Sequence, residues 1–148
     1  MRQFKAALAA DPACAICAWG VAWQLGPNIN APERGDLTEA RRHVIHALRH
    51  ADKASARERA LIDAMALRYG EARAADVKRD GPAVAGEVCR SGSGNAAKID
   101  ALDAAYARRL HALVQATPDD PDLLSLWSEA AMIATADAWW DLDSGKPL

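Results

Sequence analysis

A chain of 148 residues is long enough for one domain with a continuous core. Its net charge of -2 removes the electrostatic basis for binding nucleic acid or an anionic membrane. No run of 18 apolar residues occurs, so membrane insertion is not expected. About a quarter of the residues are Ala, the strongest helix former, and β-branched and aromatic residues are sparse. The composition therefore predicts an all-α fold.

Taken in chain order, a first helix is predicted over residues 1–10, with Phe4, Ala7 and Leu8 on one face. Pro12 stops it, because the residue before a proline is driven out of the α region. A second helix is predicted over 15–25, with Ala15, Ala18, Trp19, Ala22 and Trp23 on one broad stripe. Gly26-Pro27 closes it, with Gly26 expected in the left-handed conformation. A third helix is placed at 37–51, with Ala40, Val44, Ala47 and Leu48 inward. Ser55-Ala56-Arg57-Glu58 forms a capping box that opens a fourth, whose apolar face holds Leu61, Ile62, Met65 and Tyr69.

Residues 70–97 break the pattern with five glycines and an SGSG core, and are expected to form a flexible insertion. Periodicity returns over 99–116, with Leu102, Tyr106, Leu110 and Leu113 aligned. Pro118 ends that helix and Pro121 presets the next, over 121–136, which carries Leu124, Trp127, Ala131 and Met132. The tail holding Trp139-Trp140 is irregular: a core piece or a docking surface. One domain over 1–148, with six or seven helices, follows.

No phosphate loop, HExxH or GxSxG motif is present, and no nucleophile–base pair stands out. SGSGN lacks the Lys and the preceding strand that a phosphate loop needs. Asp119, Asp120 and Asp122 flank a helix start, where they complement its dipole. The chain is read as a non-enzyme without a cofactor.

The stretch DPACAICAWG places Cys14 and Cys17 three apart at a helix start. A redox pair would gain from the helix dipole, which favours a thiolate. A metal site would combine Cys14 and Cys17 with His43, His46 and His50, which form one stripe along the third helix. Cys89 is a further thiol, but only one cysteine pair is closely spaced, and the redox motif usually accompanies a strand pattern absent here. The reading adopted is packing: small thiols that let helices approach closely, against the Phe4 face. The histidines are then a half-exposed flank.

Two segments repeat one another: FKAALAADP at 4–12 and LHALVQATP at 110–118, with Val44, Ala47 and Asp52 keeping the spacing between them. Helix pairs with a recurring stop are the mark of a solenoid, in which each unit buries its face against its neighbours. Here the chain resembles the tetratricopeptide repeats. More narrowly, DPACAICAWGVAWQLGPNINAP, RERALIDAMALRY and PDDPDLLSLWSEAAM with WWDLDSGKP are similar to bacterial members of unassigned biochemistry. The resemblance implies a right-handed superhelical array of helical hairpins whose open ends admit self-association. The chain begins mid-repeat, which suggests a fragment of a longer array. It also implies a concave groove for a protein or peptide partner, walled by Trp19 and Trp23, Arg59 and Asp63, and Ser125 and Glu129, with core filling an equal alternative for the two indoles. These differ from the Lys and Asn of the chaperone-tail clamp in some relatives, so capture of a C-terminal carboxylate is not expected. The expected function is thus a non-catalytic scaffold, with the Cys/His metal or thiol-redox protein as alternative. The cytoplasm is the default compartment, or the periplasm if a leader precedes Met1.

Overall fold

In the computed structural model, residues 1–30, 37–71, 94–135 and 143–146 are described, with side chains omitted for 94–100. They contain six α-helices and no β-strand: α1 Arg2–Ala10, α2 Ala15–Leu25, α3 Thr38–Arg49, α4 Ala56–Tyr69, α5 Gly94–Ala116 and α6 Pro121–Ala134. A 3-10 turn, Ala51–Lys53, joins α3 to α4. The all-α expectation stands. The expected insertion at 70–97 is cut short: α5 starts at Gly94, five residues before Ile99, and residues 72–93, with Cys89, lie outside the described set. Trp139 and Trp140 lie outside it as well.

Each helix packs on its neighbours in the chain where those are described, and α2 also touches α4. α2 therefore meets α1, α3 and α4 together. Its burial goes all round: Ala15, Ala18, Trp19, Gly20, Val21 and Ala22 are all inside. A helix apolar on every side belongs in the middle of a layer. Alanines let the neighbours approach closely. Gly20 goes further, because a Cβ there would overlap the ring of Phe4 on α1. Phe4 and Leu8 are half-buried by this docking, whereas Ala7 stays exposed.

Helix ends follow local chemistry. Asp11 is extended (φ -130, ψ 95), as a residue before proline must be, and its Oδ1 accepts from the Ala13 N–H at 2.9 Å. The Ser55 capping box is complete, with the Glu58 N–H donating to Ser55 Oγ and the Ser55 N–H to Glu58 Oε2. α3 stops at Arg49, two residues early, and the chain tightens into the 3-10 turn. Gly26 departs from expectation: it is extended (φ -82, ψ 174), not left-handed. It is needed for space, since a Cβ there would strike the Tyr69 hydroxyl. The left-handed cap belongs to Gly70, which closes α4 at φ 70.

The inward face of α6 also differs from expectation. Leu123 and Ala130 are buried, with Leu126, Trp127 and Ala134 packed against the core. Leu124 is 38 % exposed and Ala131 and Met132 are half-buried. Both stripes fit helical periodicity; the contact with α5 selects the one through Leu123. On α5 Val114, rather than Leu113, is fully inside.

Asp120 is the N-cap of α6 and accepts from the Asp122 and Leu123 N–H groups at 3.1 Å. Arg57, at the start of α4, grips the same carboxylate at 2.7 and 2.9 Å and reaches Asp122 at 3.2 Å. The Arg57 hydrogen bonds, seconded by the Leu123 N–H, hold the Asp120 carboxyl down at about 2. A depressed folded pKa stabilises above the unfolded value of about 3.9 and is lost as pH falls through 2. Arg57→Gln is therefore expected to lower the melting temperature above pH 4, with the two curves meeting near pH 2. A pH series of thermal melts measures it. On α2, Gly20→Val is expected to cost about 1–3 kcal/mol by overpacking against Phe4. In a urea double-mutant cycle, Phe4→Ala should cost less in the Gly20→Val chain than alone.

Candidate functional site

Two helices and one loop converge on a buried cation. Arg68, on the last turn of α4, is 1 % exposed. It donates to Asp103 Oδ1 of α5 at 3.3 Å and to the carbonyl of Pro27, in the loop after α2, at 2.8 Å. Its guanidinium lies over the Tyr106 ring, 4.9 Å from the centroid. The neighbouring Tyr69 hydroxyl donates to the Ala22 carbonyl at 2.9 Å, which fixes α4 to α2. On the α6 side, Glu129 Oε1 accepts from the Ile29 N–H at 3.4 Å. The Tyr106 hydroxyl is buried without a hydrogen-bond partner among the described residues, and its ionisation is pushed far up, chiefly by burial. This arrangement is a clamp: it sets the loop at 27–29 against α4 and α6.

The residues expected to wall a groove separate into three environments. Trp19 is only 7 % exposed and its Nε1 donates to the Leu61 carbonyl of α4 at 3.1 Å. That makes it a core residue, the space-filling alternative to a place on a binding wall. Its indole had to be buried because α2 is covered by α4 at this turn. Trp23 stacks on it, centroids 5.9 Å apart and planes within 9°, and is half-buried. Asp63 is half-buried on α4, while Arg59 is exposed and donates to the Ala54 carbonyl. Glu129 is tied to the α2 loop as described, and Ser125 is exposed, its hydroxyl bonded to the Pro121 carbonyl. α2 and α4 thus sit side by side, with Glu129 of α6 reaching the end of α2. Trp127, half-buried, stacks on His111, 4.6 Å away, and fills the seam between α5 and α6.

Cys14 and Cys17 form a disulfide, with their Cα atoms 5.3 Å apart. This corrects the packing of two free thiols: the first turn of α2 brings residues three apart within bonding reach. It also removes both as thiolate metal ligands. Cys14 is the N-cap, and its Sγ accepts from the Cys17 N–H at 3.3 Å. Beside the pair lies an open cleft of about 290 Å³ between the α1–α2 and α3–α4 connections. Cys14 lines it and Cys17 does not; Ala13, Ile16, Ala54, Lys53 and Glu58 are among the other walls.

The histidine stripe is half-buried along α3. His46 Nε2 donates to the Pro12 carbonyl at 2.7 Å and its ring packs on His50 at 4.7 Å. His43 is half-buried 3.9 Å from Glu39, and desolvation lowers its pKa. Among the described residues no three His, Cys, Asp or Glu side chains are placed to hold a metal ion, so the Cys/His metal alternative finds no geometry.

Arg68 and Asp103 are absent from the sequence-level candidates. Asp103 carries the signal that could have found them, since it interrupts the apolar stripe running to Tyr106 and Leu110. An acid on a buried stripe demands a partner. Removing Arg68 should take from the buried Asp103 carboxylate its ion-pair partner. Arg68→Met is expected to cost about 3–5 kcal/mol, and Arg68→Met with Asp103→Leu to recover most of that, since a paired apolar replacement is tolerated. Urea unfolding of the three chains measures the difference. Comparison of the chain with protein-family models, with curated proteins and with solved structures finds no match.

Proposed function

We propose that this chain is a non-catalytic scaffold, an array of tetratricopeptide-like helical hairpins that holds a segment of another protein against α2, α4 and α6. The observation that carries the reading is the Trp19–Trp23 stack. Trp19 is locked in the core by its bond to Leu61, so Trp23 is held in place by a rigid neighbour while keeping part of its ring accessible. A preformed indole loses little entropy on binding and is the residue type most often found at binding hot spots. Further support comes from the order of contacts. Neighbouring helices pack successively and α2 also meets α4, which are the two first helices of adjacent hairpins in the repeat register. Asp63 and Arg59 stand on α4 and Glu129 on α6, adding charged groups of both signs to a wall with an aromatic anchor.

The test is a photo-reactive residue placed in turn at positions 23, 63 and 129, with Arg42 on the outer face of α3 as control. One partner captured at the first three positions and not at 42 is the expected outcome. Trp23→Ala should then weaken that partner by at least about tenfold with helicity unchanged, in the range of a truncated hot spot. Unchanged affinity with full helicity would place the contact elsewhere. Trp19→Ala is uninformative for binding because it opens the core.

A further inference from the structure

We propose that the Cys14–Cys17 disulfide is a reversible thiol–disulfide exchange centre, that its substrates are alkyl thiols and disulfides entering the neighbouring cleft, and that Cys14 is the sulfur they attack. This goes beyond the scaffold reading and does not rest on it.

A crosslink between residues three apart closes so short a loop that it restricts the unfolded chain little. The local turn is already held by other bonds: Ala13 N–H to Asp11 Oδ1, Cys14 N–H to the Asp11 carbonyl and Ala18 N–H to the Cys14 carbonyl. Structural need is a weak reason for the bond. Its geometry favours reversibility instead. A Cα separation of 5.3 Å is that of residues i and i+3 in a helical turn, so the reduced pair keeps the same backbone. The two cysteines also stand in different surroundings. Cys14 lines the cleft and its sulfur accepts the Cys17 N–H at the positive end of α2, so a Cys14 thiolate is stabilised by a hydrogen bond and by the dipole. Cys17 lies outside the cleft lining and within the first turn.

The reaction follows. A substrate thiolate RS⁻ enters the cleft and attacks Cys14 Sγ; the Sγ–Sγ bond breaks, Cys17 leaves as thiolate and takes a proton. A second RS⁻ attacks the substrate sulfur of the mixed disulfide, RSSR departs, and Cys14 leaves as the stabilised thiolate. Two electrons pass from two thiols to the protein pair. Reversal oxidises the dithiol with RSSR. Ala13, Ile16 and Ala54 offer walls for the aliphatic part of the thiol, and Lys53 is the cation among the lining residues. Asp11 and Glu58 already spend carboxylate oxygens on backbone N–H groups. Lys53 offers a carboxylate-bearing thiol a charge contact that an uncharged thiol lacks, set against the two carboxylates of the same lining.

The test uses the full chain with Cys89→Ser, so that only this pair is counted. In native buffer, dithiothreitol should reduce it, and glutathione disulfide or an unstructured peptide disulfide should reoxidise it, with two alkylatable thiols lost together in the mass spectrum. The faster of the two oxidants assigns the source as a small thiol or a protein cysteine. With one thiol left, Cys14 in Cys17→Ser should react with 2-hydroxyethyl disulfide at pH 6.5 at least about tenfold faster than Cys17 in Cys14→Ser, as expected when one thiolate is selectively stabilised. Lys53→Glu should slow glutathione disulfide at least about threefold and leave 2-hydroxyethyl disulfide unaffected, the mark of a charge contact. A pair that reduces only after unfolding, a pair that neither oxidant re-forms, or equal reactivity of the two single thiols would overturn the proposal. The reduction and reoxidation of the Cys89→Ser chain do not depend on any single-thiol variant folding.

Discussion

A buried guanidinium organises the centre of this molecule. Arg68 costs a great deal to desolvate and is accommodated only because an ion pair, a backbone carbonyl and an aromatic face meet it together. The three come from two separate parts of the chain: Asp103 and Tyr106 from α5, Pro27 from the loop after α2. A charge that must find all of them permits few alternative packings. Apolar alanine faces are nearly interchangeable and would otherwise allow helices to slide or rotate. The cluster supplies specificity where the small side chains cannot.

Close approach is the second constraint, and it depends on the first. Gly26 gives the Tyr69 hydroxyl room to reach the Ala22 carbonyl, which draws the end of α4 onto the end of α2. Gly20 does the same for Phe4, so that α1 settles on α2. Trp19 spans the gap in the other direction with its bond to Leu61. Two glycines and three ring systems thereby fix α2 among its neighbours. The consequence reaches the surface, because Trp23 stacks on an indole that does not move.

At the opposite end of α2 the chemistry changes character. Asp11, Cys14 and Glu58 all spend acceptor atoms on backbone N–H groups, so the α1–α2 and α3–α4 connections are built from caps rather than from core. Caps leave space between them, and the cleft beside the disulfide is that space. Rigid wall and open cleft therefore sit at the two ends of a single helix. In the functions proposed above, the first would hold a segment of protein and the second would admit a small reactive group.

What the sequence determined by itself is local. Proline at 12, 118 and 121, the Ser55–Glu58 box and the Ala-rich periodicity set the helices and most of their limits, because caps and stops act within a few residues. The cysteine spacing left a redox pair, a metal site and simple packing all open, and only the fold shows the bond. Gly26 illustrates the limit: its position at a helix end suggested a left-handed turn, whereas a tyrosine hydroxyl 43 residues away is the reason for it. Only tertiary structure decided which stripe of α6 faces inward, that Trp19 is core while Trp23 is not, and that Arg68 lies beneath the surface. Periodicity gives two acceptable faces when apolar residues are plentiful, and the choice belongs to the neighbour that covers one of them.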